Sequence, residues 1–274
     1  MKNMSRGTII AMGGNIDLRP DTPLFKEYFN IAQKITPGTP TIAIIPTASG
    51  TPELSMKGYT DLFESFSSNT VVINPKDRGE ANGEETIEKV ERSDAFFLTG
   101  GHQLRITALL GGTKLLDKLK EKFEEGALIG GPSAGSVCLT SIMISGNLLE
   151  RPFVHGQVEL TQGLGFIPDM VIDTHFTERG RFPRLIHVVS ENPGTRGIGI
   201  GEGTATVWDL DKEEFRVIGR NTVAVVDGVH ISKNNAPELK LGEPISVSGV
   251  TVHVLSSGAR FDYDKCEMFL PQED

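Results

Sequence analysis

A serine wedged between an apolar run and a helix-forming stretch carries the first chemical signal in this chain. Ser133 lies in Ile129-Gly130-Gly131-Pro132-Ser133-Ala134-Gly135-Ser136-Val137, with Gly131 two residues before it and Gly135 two residues after. In a G-x-S-x-G pattern the backbone turns sharply from strand to helix and leaves the serine hydroxyl standing clear as a nucleophile. An accidental match is the competing reading, because 31 glycines in 274 residues make such a pattern common. The partners of the serine decide between the two. A nucleophilic serine needs a base that titrates near neutrality, and His175, just after the apolar run Met170 to Ile172, is the best placed of six histidines. His102 and His155 fall in loops, His187 inside a helical stretch, and His230 and His253 within predicted strands. Glu202 stands between Gly201 and Gly203 after another apolar run, badly placed for packing and well placed to orient an imidazole. A plain turn acid is the alternative for that position.

Two further groups complete the chemistry. The loop Thr99-Gly100-Gly101-His102-Gln103 follows a predicted strand, and paired glycines there can turn the Gly101 N–H outward as one arm of an oxyanion hole. An ordinary strand-to-helix turn is the other reading of that loop. The N–H of Ala134, at the start of the helix after Ser133, supplies the second arm with help from the helix dipole. Arg179, Arg181 and Arg184 gather beside His175 and could grip a carboxylate by paired hydrogen bonds. They read equally as a solvated helix start paired with Glu178 and Glu191. The order Ser133, His175, Glu202 differs from the Ser, acid, His order of the α/β-hydrolases. No Walker loop, G-x-G-x-x-G or H-E-x-x-H occurs, and no metal, nucleotide or other cofactor is expected.

Positioning these groups falls to an alternating pattern. Thr8 to Met12, Thr41 to Ile45, Thr70 to Ile73, Ala95 to Leu98 and Ala127 to Ile129 are short continuous apolar runs. Between them the spacing predicts helices over Pro23 to Ile35, with Thr22 as N-cap, Leu54 to Phe66, Glu84 to Glu91, and Leu104 to Glu125 broken at Gly111-Gly112. Another is predicted over Ala134 to Ile144. Such alternation implies an α/β fold with a mostly parallel, doubly wound sheet covered by helices on both faces, and ligands at the carboxyl ends of its strands. After Ser133, Met170 to Ile172, Gly197 to Ile200 and Thr204 to Trp208 read as strands around the helical Arg181 to Ser190. From Phe215 onward hairpins are predicted, one of them pairing Thr222 to Val226 with Val229 to Ser232 across Asp227-Gly228. The expected organisation is one domain over 1–274, with a core at 7–210 and a β-rich, antiparallel C-terminal extension at 211–274.

Charge narrows the function. With 27 basic against 36 acidic residues and a formal charge of -9, a nucleic-acid or anionic-membrane surface is not expected. The two cysteines, Cys138 and Cys266, have neither disulfide-framework nor zinc spacing. The apolar stretch near the start is too short for a secretion signal, and no run nears the roughly 20 residues that span a bilayer. A cytoplasmic protein is expected.

Taken jointly, several segments resemble the cyanophycinase family, peptidase S51, whose members are serine peptidases related to the aspartyl dipeptidase peptidase E. They are Ala11-Met12-Gly13-Gly14, Ile45-Pro46-Thr47-Ala48-Ser49, Phe96-Phe97-Leu98-Thr99-Gly100-Gly101-His102-Gln103-Leu104, Gly131-Pro132-Ser133-Ala134-Gly135, Asp173-Thr174-His175-Phe176-Thr177-Glu178-Arg179-Gly180-Arg181 and Gly199-Ile200-Gly201-Glu202-Gly203-Thr204-Ala205. The resemblance implies a flavodoxin-like sheet akin to class I glutamine amidotransferases, a Ser133, His175, Glu202 triad, and a homodimer. It also implies that Gln103, Asp173, Arg179, Arg181 and Arg184 hold a β-aspartyl substrate. Two positions depart from the family pattern: His102 replaces the Asp of Gly-Gly-Asp-Gln, and Thr174 replaces a Gln. Both flank the implied substrate pocket. The expected activity is exopeptidase cleavage of the β-Asp-Arg polymer cyanophycin, or of related β-aspartyl peptides, to dipeptides. An aspartyl or isoaspartyl dipeptidase is the alternative, and a non-catalytic binding protein on the same scaffold is a third.

Overall fold

The computed structural model describes residues 6–146 and 153–271. Its first half alternates β1 (Thr8–Met12), α1 (Pro23–Ile35), β2 (Thr41–Ile45), α2 (Pro52–Glu64), β3 (Asn69–Val72), α3 (Glu84–Glu91), β4 (Ala95–Leu98), α4 (Gln103–Leu110), α5 (Lys114–Glu124) and β5 (Leu128–Pro132). A single helical turn, α6 (Ala134–Val137), is followed by β6 (Ile142–Ile144), β7 (Leu160–Gln162), β8 (Met170–Thr174), α7 (Phe182–Glu191) and β9 (Arg196–Ile200). The remainder is β10 (Thr204–Asp209), β11 (Glu214–Gly219), β12 (Val223–Asp227), β13 (Lys233–Asn234), β14 (Val247–Ser248), β15 (Thr251–Leu255), β16 (Arg260–Asp262) and β17 (Glu267–Phe269).

Among the described residues the larger sheet has nine strands, ordered β17-β16-β11-β10-β1-β5-β4-β2-β3. Strands β1, β5, β4, β2 and β3 are mutually parallel, and β10, β11, β16 and β17 extend them antiparallel. The continuous apolar runs follow from burial on both faces. Ile9 and Ala11 face one core with Phe96 and Leu98, whereas Ile10 and Met12 face the other with Ala95 and Phe97. Leu24, Phe25, Tyr28 and Phe63 of α1 and α2 fill the second core, and Ile106, Leu115, Leu119 and Phe123 of α4 and α5 fill the first. Each such side chain taken from water contributes about 1.5–3 kcal/mol.

A smaller sheet, β15-β12-β9-β8, stands apart from the first. Only β8 and β9 are parallel in it. The apolar pattern predicts both strands, but not that they leave the main sheet. Its parallel pair ends beside the ends of β1 and β5, where His175 N–H donates to Gly13 O and Ser133 N–H to Met12 O, both at 2.9 Å.

Three expectations are corrected. The helix predicted over Ala134 to Ile144 stops after one turn. Thr140 Oγ1 bonds the carbonyls of Val137 and Ile142, and the β-branched Ile142 and Ile144 then pair with β7. The predicted hairpin across Asp227-Gly228 does not form. Both edges of β12 are taken, by β9 and by β15, and the Asp227 side chain turns inward to Arg196 Nε (2.7 Å) and Val229 N–H (2.7 Å). Thr22 occupies the N-cap of α1 without capping it, because its Oγ1 donates to Asp17 O instead.

Candidate active site

The nucleophile position is set by backbone packing. Ser133 adopts φ 54 and ψ -115, a strained conformation for a residue with a Cβ, of the kind found at functional turns. The flanking glycines are required by close approach. A Cβ on Gly131 would lie 1.8 Å from the Leu98 carbonyl oxygen, and one on Gly135 would lie 2.1 Å from the same atom. The end of β4 thus presses on the elbow from both sides of Ser133. Beneath it, buried Ser136 accepts from Met12 N–H at 2.7 Å and lies 2.8 Å from Met12 O, stapling the turn to β1.

His175 follows β8 and also has positive φ, 49°. Its Nε2 lies 3.2 Å from Ser133 Oγ and its Nδ1 lies 2.7 Å from Glu202 Oε1. Gly14 is glycine to make room for the ring, since a Cβ there would fall 2.5 Å from His175 Cε1. With the Nδ1 proton held by a carboxylate, the Nε2 lone pair faces the serine, the tautomer that general-base work needs. The His175 and Glu202 side chains are only 13% and 19% exposed.

Glu202 is anchored by Glu178, Asn221 and Asn15, of which only Glu178 stands out in the sequence, and there as a partner for the arginines. Its N–H donates to Glu178 Oε2 at 3.1 Å, and Asn221 Nδ2 donates to Glu202 O at 2.7 Å and to Glu178 Oε1 at 3.0 Å. Asn15 Nδ2 donates to its second carboxylate oxygen, Oε2. The hydrogen bond from His175, then that from Asn15, holds the Glu202 carboxyl below the ordinary glutamate range against a smaller effect of burial. Asn15 had one signal in the sequence: it follows Gly13-Gly14 at a strand end, and asparagine tolerates left-handed backbone. Its φ is 47°.

In the cationic group, Arg181 and Arg184 depart from the reading as a solvated helix start paired with Glu178 and Glu191. Asp173, 1% exposed, accepts from Arg181 Nη1 at 2.9 Å, from Arg184 Nε at 2.7 Å and again from Arg184 Nη2. Two of the three guanidiniums are therefore tied to a buried acid. Neither pairs with Glu178 or Glu191; Glu191 meets His155 and His187 instead. Burial lowers the Arg181 pKa, and Asp173 opposes that shift. Arg179 is exposed and, among the described residues, has no carboxylate partner at ion-pair distance.

Gly101, His102, Gln103, Ser133, Ala134, Asp173, Thr174, His175 and all three arginines line one cavity of about 180 Å³. Three guanidiniums against one carboxylate make its wall cationic. Gln103 Nε2 donates to Ile144 O at 3.1 Å, tying α4 to β6, while buried Thr174 gives its N–H to Asp173 Oδ1 and its carbonyl to Arg181. Gly101 and Ala134 both line the cavity with Ser133. Among the described residues their N–H groups have no hydrogen-bond partner. Because α6 is one turn long, its dipole adds less at Ala134 than a full helix would. None of His155, His187, His230 and His253 lines the cavity. Among the described residues no group of three or more His, Cys, Asp or Glu side chains could hold a metal, and Cys138 and Cys266 are both free.

Residues 9–217 match the model of peptidase family S51. The chain belongs to this family. As an S51 member it is a peptide hydrolase. It is 32% identical over 265 residues to the cyanophycinase of Geminocystis herdmanii (strain PCC 6308), covering 96% of each chain. To the cyanophycinase of Synechococcus elongatus it is 34% identical over 256 residues, 92% of this chain and 78% of the other. A more distant S51 likeness, to the peptidase E of Nostoc sp. (strain PCC 7120 / SAG 25.82 / UTEX 2576), is 28% identical over 149 residues, 51% of this chain and 58% of that one. The fold is shared with the crystal structure of a peptidase from an acI-B1 Actinobacterium, at TM-score 0.69 and 20% identity over 82% of this chain and 93% of that one. Among the described residues no helix is long and apolar enough to cross a membrane.

Proposed function

We propose that this S51 member is a serine exopeptidase of the cyanophycinase type, releasing dipeptides from a β-Asp-Arg polymer or from related β-aspartyl peptides. The observation that carries the reading is the unbroken chain Ser133 Oγ, His175 and Glu202, with contacts of 3.2 and 2.7 Å, opening on a cavity rich in guanidiniums. Similarity to cyanophycinases over nearly the whole chain supports the same substrate class.

In this reading Ser133 Oγ attacks the carbonyl carbon while its proton passes to His175 Nε2. Gly101 N–H and Ala134 N–H receive the negative charge that forms on the carbonyl oxygen. The C–N bond then breaks, and the departing amine takes the proton from His175. Water, deprotonated by the same nitrogen, attacks the acyl-serine and frees the carboxylate and Ser133. Glu202 stays ionised and steadies the imidazolium in both steps. Arg179, the guanidinium not tied to Asp173, meets a substrate carboxylate, while Arg181 and Arg184 with Asp173 form the rigid wall behind it. Gln103, Thr174 and His102 complete that wall, and the last two, as departures from the family pattern, tune which peptide fits. A cytoplasmic homodimer on a single domain belongs to the same reading, and light scattering measures the assembly.

Incubation with cyanophycin followed by mass analysis tests the substrate: dipeptide products support the proposal, and an intact polymer refutes it. Ser133→Ala should lower turnover by roughly 10³- to 10⁶-fold; undiminished hydrolysis would remove Ser133 from the mechanism. The dipeptidase alternative has its own support in the likeness to peptidase E. A panel of short α- and β-aspartyl peptides run beside the polymer separates the two, and a protein that cleaves neither and takes no serine-directed label is a binding protein.

A further inference from the structure

The Glu202 side chain projects from a turn between two glycines, so its own strand gives it little lateral support. His175 Nδ1 meets one carboxylate oxygen, Oε1, and a contact at one oxygen leaves the carboxylate plane free to rotate about its last side-chain bond. The second oxygen, Oε2, is met by Asn15 Nδ2. Asn15 follows β1, and Glu202 sits just before β10, the antiparallel neighbour of β1, so the two residues face each other where that pair of strands runs out, while β9 brings the chain to Glu202 from the smaller sheet. The approach is built into the backbone. Gly13 O holds His175 N–H at 2.9 Å, Gly14 O holds Gly203 N–H at 3.0 Å, and Asn15 then turns through φ 47 to aim its amide at Glu202. The loop after β1 therefore grips the base and the acid at once.

We infer that Asn15 is a positioning residue of the catalytic triad, fixing the carboxylate plane of Glu202 so that His175 Nδ1–H stays aligned and Nε2 faces Ser133. The inference rests on the serine-peptidase reading above, because a positioning role has meaning only if Ser133 is a nucleophile. It places Asn15 outside the cavity wall, touching no substrate. Its removal should change the rate of attack rather than the binding of the attacked group. The charged and titratable groups around Glu202 are His175, Glu178 and Arg179, with the Arg220 guanidinium packed against neighbouring Gly203. A carboxylate at position 15 would add repulsion on the one oxygen that now receives a neutral donor.

A fluorophosphonate probe reads this without any assumption about the peptide. The rate of probe attachment to Ser133 is measured from pH 4 to pH 9 in the full-length protein and in Asn15→Gly and Asn15→Asp. Glycine keeps the positive φ and removes the amide; aspartate keeps the shape and reverses the interaction. Asn15→Gly should label about 10- to 100-fold more slowly at saturating probe, with the half-saturating probe concentration little changed. Asn15→Asp should move the acid limb of the rate profile upward by about one pH unit. A purely structural role would lower the melting temperature of both variants and leave the labelling rate of folded protein and the acid limb where they were. Rates within twofold of the parent with an unmoved acid limb would overturn the inference. If the parent protein takes no label at Ser133, the serine-peptidase reading fails and the inference with it, an outcome distinct from equal labelling of parent and variants.

Discussion

The two halves of the candidate active site are held by different materials. Around Ser133 the support is backbone: Gly131 and Gly135 fit against one carbonyl, Leu98 O, and Ser136 pins the turn to β1 from within the core. Around His175 and Glu202 the backbone of Gly13 and Gly14 holds the chain, but the Glu202 carboxylate and its turn are supported by polar side chains, Asn15, Glu178 and Asn221, at a margin that solvent partly reaches. Close packing tolerates no added atom, whereas hydrogen bonds at a surface can be weakened by degrees. The nucleophile should therefore fail all at once under substitution, and the base and acid should fail gradually and with pH.

Gly135→Ala presses hardest on that contrast. A methyl group 2.1 Å from Leu98 O cannot be absorbed by a side-chain movement, so loss of soluble folded protein, or of all activity, is expected on expression and thermal melting. An active, stable Gly135→Ala protein would show that the elbow yields. Glu202→Gln comes next, with an expected loss of about 10²- to 10⁴-fold in kcat, read by steady-state kinetics on a fold that melts normally. Its pH signature has a definite sign. The folded-state pKa of Glu202 lies below its unfolded value, so its stabilisation is complete above the unfolded pKa and is lost as pH falls through the folded one. Melting curves should therefore show a shallower acid-side decline below about pH 4 in Glu202→Gln than in the parent.

Ser136→Ala should cost about 1–3 kcal/mol, because Met12 N–H would be left buried without its hydroxyl partner. Chemical denaturation measures this, and an unchanged midpoint would mean that the staple is dispensable. Glu178→Gln should have the smallest effect, a roughly two- to fivefold fall in kcat, since a neutral oxygen still accepts from Glu202 N–H with a weaker bond. A loss as large as that of Glu202→Gln would make Glu178 a member of the reacting group rather than part of its support.

Much of the fold could be read from the chain alone. The limits of β1, α1, β2, α3 and β4 coincide with the apolar runs and helical spacings that predict them, because strands buried on both faces leave a continuous signal. The paired glycines at 111 and 112 mark the break between α4 and α5 for a similarly local reason. Less was legible where two segments compete for one partner. The stretch after Val137 has helical spacing, yet β7 arrives from nearly twenty residues away and draws Ile142 to Ile144 into a strand. Asp227-Gly228 is a good turn by composition, but β15 reaches the edge of β12 that a hairpin would need. In the site, the gathering of Arg179, Arg181 and Arg184 was visible, whereas the capture of two of them by Asp173 was not. A buried acid can be recognised only once it is known which surfaces close over it.

By itself, the sequence determined the residues with the right chemistry and the strand ends on which they stand, because glycine spacing, strand periodicity and side-chain type are local properties. Tertiary structure alone decided that β8 and β9 leave the main sheet, that their ends meet those of β1 and β5, and that Asn15 closes on Glu202. Those contacts join residues as much as 187 positions apart, and no local preference encodes them. The first two exist because two sheets, each burying its own apolar faces, can pack with their carboxyl ends together; the third exists because β10 lies antiparallel beside β1, which sets the turn before β10 against the loop after β1.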